Sequence, residues 1–469
     1  MTMARFLPID RDSVYLFPPS VQDWLPETHL ARYIANVIES LDLSGIERAY
    51  ASRGSDACHP ASLMSLLIYG YATGVFSSRR IEMATYDSVA FRYLACNRHP
   101  DHDTLATFRR RFGEQFQALF VQVLQIAQTN QLSRFGSVSL DGTKLHANAS
   151  RHSALSYEHA GKLETQLKAE VGELFALAES ADQSELPEGL SVPFEIARRE
   201  DQLAAIAAAK AKIETRARER YAREKAAFDA KLKAREEKAA KTGRKPPGNP
   251  PAPPSEAPRA EDQVNLTDDE SRIMPQGIPS LRDIKVAGGG FEQCYNAQAM
   301  VDTATMLVVV PEVTQAANDK QQVEPMLKKL RALPAGLNAP ATLLADTGYF
   351  SADNVDACRK ARIEPLIATG RESHHPHWQE RFTEPVPLAA GAGAVDTMKH
   401  TLKTRAGRQQ YALRKQTVEP VFGIIKSVMK FRQFMLRGLV NVGNEWTLVC
   451  LAWNLKRMAV LHPQSAQRA

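Results

Sequence analysis

Two aspartates in this chain stand in the same local pattern, in which an apolar segment is followed by an acid and then by a glycine. Asp141 follows the alternating apolar residues Val138 and Leu140. Asp346 ends the apolar segment that begins at Thr342. Such segments predict β-strands, so each carboxylate is expected at a strand end, where the glycine lets the backbone turn away. Either aspartate alone could be a turn residue, and the shared context favours a common site.

A third acid, Glu419, is the only acidic residue in the segment 399–437, which holds ten lysines and arginines. On a helix, an ion pair with Lys415, four residues earlier, is one explanation. The other is metal binding, with Lys426, seven residues later, on the same helical face and directed towards phosphates. Pro420 disfavours helix at Glu419, so the helix either begins at Pro420 or kinks there.

Carboxylates brought together in this way can hold divalent cations. Two ions about 3.5 to 4 Å apart stabilise the in-line transition state of a phosphodiester displacement and activate a water or a 3′ hydroxyl. Mg²⁺ and Mn²⁺ prefer carboxylate oxygens, and few protein ligands leave positions open for the substrate. We therefore predict that Asp141, Asp346 and Glu419 hold two Mg²⁺ ions, for which Mn²⁺ substitutes, with Asp141 as the bridge. Asp302 and Asp319 are weaker candidates, and of these Asp302 is expected nearer the site.

The N-terminal part of the chain predicts an all-helical module. Between residues 28 and 132 apolar residues recur every three or four positions. Thr28 is expected to cap the first helix, and Asp103 a long fourth helix that runs through Val123. Seven arginines fall within 79–111. They either contact DNA phosphates or form a solvated face.

The rest of the chain predicts an α/β fold, a mixed sheet with a helical insertion between its first two strands. Residues 160–240 are rich in Ala, Glu, Lys and Arg and predict an antiparallel helical hairpin. Seven prolines within 246–258 predict an extended linker. Beside them, Arg244 and Lys245 could enter a minor groove. The expected divisions are a helical DNA-binding and dimerisation domain at 1–132, the first catalytic strand at 133–150, the helical insertion at 151–240, the proline-rich linker at 241–275 and the remaining catalytic domain at 276–462.

Composition sets the expected surroundings of the protein. The net charge of +6 and pI near 8.9 are mildly basic, and the five cysteines show no pairable spacing, as in a reducing cytoplasm. Residues 1–10 lack the features of a secretory signal, and no apolar run suffices for a membrane span. The histidine cluster at 374–377 is a weak transition-metal candidate. We expect a cytoplasmic protein without a membrane partner.

The acid-bearing motifs resemble those of the DDE transposases of bacterial insertion sequences, and most of all the insertion-sequence family numbered 1182. They are Ser139-Leu-Asp141-Gly-Thr-Lys144, Leu344-Ala-Asp346-Thr-Gly-Tyr349 and Val418-Glu419-Pro-Val-Phe-Gly-Ile-Ile-Lys426. Further likeness runs through nearly the whole chain, at 23–26, 69–78, 99–103, 295–298 and 445–456.

The resemblance implies an RNase H-like catalytic domain, dependence on Mg²⁺, cleavage of double-stranded DNA at terminal inverted repeats, and strand transfer into target DNA. It also implies that Asp141, Asp346 and Glu419 are the metal-binding and catalytic triad. A homodimer on DNA is expected because two ends must be cut and joined, in a protein associated with the bacterial nucleoid. Candidate contacts to DNA or phosphate are Lys426, Lys415, Arg414, Tyr411, Tyr349, Lys144, Lys430 and Arg432.

One spacing departs from the family pattern. Tyr411 and Arg414 keep its interval of three residues, but Glu419 falls five residues after Arg414 where the family has four. Two other functions remain open from sequence. One is a nuclease of the same fold without strand transfer, and the other is a non-catalytic DNA-binding protein derived from a transposase.

Overall fold

The computed structural model describes residues 20–50, 57–132, 135–180, 190–242, 249–275, 290–370, 383–388 and 391–461. Residues 1–10, the pair Arg244 and Lys245 and the histidine cluster at 374–377 lie outside the described residues. The chain divides into two compact units, one formed by 1–145 with 296–469 and the other by 146–295.

The first unit begins with helices, as the apolar periodicity predicts. Their bounds are α1 (Leu30–Glu39), α2 (Ser44–Glu47), α3 (Pro60–Thr73), α4 (Ser78–Asp87), α5 (Val89–Leu94), α6 (His102–Arg111) and α7 (Gln115–Thr129).

Two predicted caps are wrong by one or two residues. His29 caps α1, because its Nδ1 accepts a hydrogen bond from the Ala31 amide at 3.1 Å. Asp101 caps α6, because its carboxylate accepts from the Thr104 amide at 2.6 Å. A cap is chosen by which side chain reaches the free amides of the first turn, and sequence spacing alone does not decide between neighbouring candidates.

The predicted long fourth helix is two helices, α6 and α7, with a break at Phe112. The next residue, Gly113, lies against α14 (Leu439–Leu461), where an added Cβ would stand 2.7 Å from Nδ2 of Asn444. This close approach explains why residue 113 is a glycine. Helices α4 and α5 are separated at Ser88.

The described residues contain eight strands in two sheets. They are β1 (Ser137–His146), β2 (Ala154–Ser156), β3 (Gln263–Asn265), β4 (Arg272–Pro275), β5 (Phe291–Asp302), β6 (Val308–Thr314), β7 (Thr342–Ala345) and β8 (Glu364–Ile367).

The sheet of the first unit runs from β5 through β1 and β7 to β8, and β6 pairs with β5. The pairs β1–β7 and β7–β8 are parallel, whereas β5–β6 is antiparallel. This mixed sheet, with helices before it, confirms the predicted α/β class. The region predicted as insertion and linker also contains strands β2, β3 and β4, which the sequence reading did not include.

The C-terminal helix α14 lies in the core of the first unit. It packs on β6 and also on α3 and α7. Trp446 is fully buried, and its indole nitrogen donates to the Gln298 carbonyl at 3.0 Å. Asn454 pairs twice with the backbone of Val308, each time at 2.8 Å. Each fully buried large apolar side chain here contributes about 1.5–3 kcal/mol. The other C-terminal helices are α10 (Val323–Arg331), α11 (Ala352–Lys360), α12 (Ala394–Lys403) and α13 (Arg405–Ser427).

Helix α13 is continuous through Pro420, so it neither begins there nor ends before it. Glu419 is therefore a helical residue, in register with residues on both sides of the proline. None of the helices within the described ranges has the length and apolarity that a membrane crossing requires. Of the five cysteines, Cys294, Cys358 and Cys450 are buried and Cys96 is exposed.

The second unit is built on two helices, α8 (Tyr157–Ser180) and α9 (Val192–Thr242). Ion pairs from Lys210 to Glu164 and from Arg199 to Glu170 show that the helices are antiparallel, as predicted. The antiparallel pair β2–β3 closes one end. The core of this unit consists of Leu155, Ala160, Leu167, Ile206, Ala209, Ile213 and Val264.

Candidate active site

Asp141 and Asp346 are neighbours because β1 and β7 are adjacent and parallel. Leu140 pairs with Ala345, so the following residues on the two strands are the two aspartates. Neighbouring strands lie about 4.8 Å apart, which brings the two carboxylates to one place on the sheet. The predicted meeting of these two acids therefore follows directly from the strand register.

The expected strand end is correct for only one of the two aspartates. Asp346 directly follows β7, but Asp141 lies within β1, which continues to His146. Gly142 therefore does not turn the chain away. It allows a close approach instead, because a Cβ at Gly142 would lie 2.2 Å from Nε2 of Gln298.

The turn after Asp346 is held by its own side chain. Oδ1 of Asp346 accepts a hydrogen bond from the Gly348 amide at 2.8 Å. Tyr349, predicted to contact DNA or phosphate, is fully buried, and its hydroxyl donates to Oε1 of Gln298. Burial, followed by the charges of nearby aspartates, raises the pKa of Tyr349 well above its usual value. This tyrosine supports the turn from inside the protein.

Arg414 links the strand acid to the helix acid. Its Nη1 donates to Oδ2 of Asp141 at 3.3 Å, and its Nη2 donates to Oε1 of Glu419 at 2.8 Å. The Arg414 side chain is 12% exposed, whereas that of Glu419 is 47% exposed. The Lys415 ion pair, one of the two explanations of Glu419 left open by the sequence, is not formed: within the described residues Glu419 pairs with Arg414, and Lys415 is exposed.

Asp141 is costly to ionise without a cation. Burial raises its pKa to about 7, and the charges of Asp346 and Asp319 act in the same direction. The Gly142 amide and Arg414 act in the opposite direction. The repulsion expected when carboxylates share a site is therefore present, and the guanidinium of Arg414 offsets part of it.

The side chains at this site have the type of donor atom that a hard divalent cation binds. As the side chains stand, no group of three or more His, Cys, Asp or Glu in the described part of the chain could hold a metal ion. The donors around the site are carboxylates, the type that Mg²⁺ and Mn²⁺ prefer. A positive charge, the Arg414 guanidinium, already lies between Asp141 and Glu419.

The other candidate contact residues lie along α13 and the segment that follows it. The Tyr411 hydroxyl donates to the Ala345 carbonyl at 3.3 Å, next to Asp346. Nζ of Lys426 donates to the Lys144 carbonyl at 3.2 Å, on the strand that carries Asp141. Lys430 and Arg432 are exposed. Two of the predicted basic residues, Arg414 and Lys426, thus contact strand β1 itself.

Of the two weaker acidic candidates, Asp319 lies nearer the site than Asp302, the opposite of what was predicted. Oδ2 of Asp302 accepts from the amide and the hydroxyl of Thr305, so this acid serves a turn. Asp319 lies beside Asp141, because a Cβ at Gly142 would stand 2.8 Å from its Oδ1. Sequence reasoning also missed Gln298. The signal that was available is the pair Asn296 and Gln298, which alternate with Ala297 and Ala299 in β5.

Two family models match parts of this chain. Residues 19–111 match the family model described as Transposase domain (DUF772). Residues 279–455 match the model described as Transposase DDE domain. No curated protein and no solved structure matches the chain. These two matches define the class of the protein as a DDE transposase. The mixed sheet with paired aspartates and the acid on a basic helix agree with that class.

The chain is therefore identified as an insertion-sequence DDE transposase, and the presence of both domains is typical of the insertion-sequence family numbered 1182. Members of this class bind DNA and generally use divalent metal ions. Asp346 and Glu419 fall within the matched range 279–455, whereas Asp141 lies outside both matches. The strand register brings Asp141 beside Asp346, and Arg414 connects Asp141 to Glu419.

Proposed function

We propose that this transposase cleaves DNA at the terminal inverted repeats of its element and transfers the cut strand into target DNA, with Asp141, Asp346 and Glu419 as the metal-binding triad. The register of β1 on β7 carries this proposal, because it sets Asp141 beside Asp346. Arg414 supports the third member, because it connects Asp141 to Glu419.

The three acids have different environments and therefore different tasks. When bound, two Mg²⁺ ions would activate the attacking water or 3′ hydroxyl and stabilise the charge of the transition state. Asp141, central on the sheet, would hold the ions together with Asp346 and Glu419. Asp346 is oriented by the Gly348 amide, and Glu419 approaches from the helix, where its exposed side chain can adjust.

Arg414 has two alternative partners in this scheme. Its guanidinium pairs with Asp141 and with Glu419. If these carboxylates instead held divalent cations, the guanidinium would be available to a DNA phosphate, for which its planar geometry is suited. Arg414 would thus stabilise the clustered carboxylates when they hold no cation, and position DNA when they do.

DNA would lie along the basic surface next to the triad. Lys415, Lys430 and Arg432 are exposed and form the outer part of this surface. Neutralising phosphates releases counterions, so binding should weaken steeply as salt rises. The inner part consists of Lys144, Tyr411, Arg414 and Lys426, with Tyr349 behind the turn.

Assembly and organisation follow from the reaction. Two transposon ends must be cut and joined together, so we propose that two chains act on paired ends, in the bacterial cytoplasm at the nucleoid. The helical part, 1–132, would bind ends and support dimerisation. Residues 133–150 with 276–462 would form the catalytic domain, while 151–240 and 241–275 would be an insertion and a linker.

The test is a joining assay with labelled ends taken from the DNA that flanks the coding region, a target plasmid and Mg²⁺. Wild type should give joined products, and Glu419→Gln should reduce them at least about tenfold, the usual minimum for damage to a metal site. Glu324→Gln, the same change at an exposed glutamate of α10, is the matched control and should retain activity. Cleavage without joining would instead make the protein a nuclease.

A further inference from the structure

Asp319 lies in the loop between β6 and α10, and one of its oxygens is held by two buried amides. Oδ1 accepts from Nδ2 of Asn296 at 2.8 Å and from Nε2 of Gln298 at 2.6 Å. Asn296 and Gln298 are alternate residues of β5, so their side chains share a face of the strand. They are 2% and 0% exposed. The orientation of the Asp319 carboxylate is therefore fixed from the interior.

The two amides are themselves fixed by further hydrogen bonds. Asn296 also donates to the Ala316 carbonyl at 3.1 Å, and its own oxygen accepts from Gln298 at 3.0 Å. The side-chain oxygen of Gln298, Oε1, accepts a hydrogen bond from the Tyr349 hydroxyl. Because Tyr349 belongs to the turn after Asp346, this network connects Asp319 to that turn.

The Asp319 carboxylate lies between the two glycines that accompany the paired aspartates. A Cβ at Gly142 would stand 2.8 Å from Oδ1 of Asp319. A Cβ at Gly348 would stand 3.8 Å from Oδ2 of Asp319 and 3.0 Å from Oδ1 of Asp346. Within the described residues, Oδ2 accepts no hydrogen bond, since both bonds to this carboxylate go to Oδ1. The free oxygen is thus on the side of the Asp346 turn.

The charge at this position needs an explanation. An asparagine oxygen could accept the same two amide hydrogen bonds. A carboxylate instead adds a third negative charge next to Asp141 and Asp346, and like charges at close range disfavour one another. A purely structural role would therefore be served at lower cost by an amide. The charge is accounted for if it faces a cation.

We propose that Asp319 is a fourth acid of the metal-binding site, which helps to hold a divalent cation through Oδ2, directly or through a bound water. Asn296 and Gln298 act as positioning residues that keep Oδ1 turned inward. This role presupposes the proposed function, because it requires that Asp141, Asp346 and Glu419 bind divalent cations.

The test is Mn²⁺ binding to the full-length protein without DNA, measured by calorimetry and by the electron paramagnetic resonance signal of free Mn²⁺. Asp319→Asn keeps one oxygen that can accept from both amides and replaces Oδ2 by an NH2 group, which removes the charge and the proposed ligand atom. It should weaken binding of at least one Mn²⁺ by about tenfold or more. Asp353→Asn, the same change on the exposed surface of α11, is the control and should bind as wild type.

Each other outcome is decisive. Wild-type Mn²⁺ affinity in Asp319→Asn, with binding lost in Asp141→Asn, overturns the role of Asp319 and leaves the proposed function intact. Weakened Mn²⁺ binding in Asp319→Asn from a wild type that cleaves but does not join DNA supports the fourth acid and overturns strand transfer alone. An Asp319→Asn protein that does not fold in EDTA assigns the carboxylate to the fold and overturns its metal role. Absence of Mn²⁺ binding by the wild type overturns both.

Discussion

Replacing Asp141 with asparagine should stabilise the metal-free protein at neutral and alkaline pH, although it removes a residue of the site. The carboxyl of Asp141 is buried, and burial is the main cause that raises its pKa from 3.8 to about 7. Between these two pH values the folded protein keeps a proton that the unfolded chain has released. Stability must therefore fall as pH rises through this window, and the loss is complete above about pH 7.

The size of the effect follows from the same pKa. Each tenfold change in proton affinity corresponds to about 1.36 kcal/mol, so a rise from 3.8 to about 7 corresponds to about 4 kcal/mol. This is the expected gain in the free energy of unfolding of Asp141→Asn over wild type at pH 8. At pH 4 the gain should vanish, because the wild-type carboxyl is then protonated in the folded state.

The measurement is urea unfolding of both proteins in EDTA from pH 4 to pH 8.5. The difference between the two free energies is the quantity of interest, because other titrating groups contribute equally to both proteins. Asp353→Asn controls for the removal of one exposed negative charge. Mg²⁺ at a hundredfold excess over its Kd should then stabilise wild type by about 2.7 kcal/mol and Asp141→Asn much less.

A difference between wild type and Asp141→Asn that stays flat from pH 4 to pH 8.5 would refute the reasoning, because it would mean that burial and the neighbouring acids do not disfavour the charge. A difference that grows towards acid pH would refute it more strongly, since Arg414 would then dominate over burial. The second result would show that the attraction between Arg414 and Asp141 outweighs the cost of burying the carboxylate.

Two further changes test the packing of the protein. Gly142→Ala places a Cβ 2.2 Å from Nε2 of Gln298 and should lower the free energy of unfolding in urea by about 1–3 kcal/mol. The control Gly136→Ala has open space around it and should change this free energy by no more than about 0.5 kcal/mol; equal effects of the two changes would contradict the close approach. Glu445→Leu breaks a buried network in which Tyr71 donates to the carboxylate at 2.5 Å, and should cost about 3–5 kcal/mol in the same assay, so a loss below about 1 kcal/mol would show that the network does not stabilise the fold.

The pairing of Asp141 with Asp346 was accessible from sequence because strand patterning is local. Two apolar segments that each lead into an acid and a glycine predict strands with similar geometry, and parallel neighbours bring equivalent positions together. Glu419 was accessible for a different reason, as the lone acid of a basic helix. What patterning could not give is whether β1 stops at Asp141. Pairing with β7 ends at Leu140, and the strand continues because the longer strand β5 lies along its other side.

Asp319 and Arg414 show where sequence reasoning ends. Asp319 is in a loop, and only the packing of β5 beside β1 brings it near Asp141. Lys415 has the ideal helical spacing to Glu419, but Arg414 has the longer reach and a buried second partner in Asp141. In both cases the deciding contact joins segments far apart in the chain, and spacing along one helix or strand carries no record of it.

The position of α14 bears on how such a gene decays. This helix supplies core to the catalytic sheet through β6 and to the N-terminal helices through α3 and α7. A frameshift after Lys426 would leave all three triad acids encoded and yet delete the helix that both regions share. Its product would be an insoluble chain, unable even to occupy transposon ends as a competitor, so that such a mutation silences a copy outright and does not turn it into an inhibitor of its intact siblings.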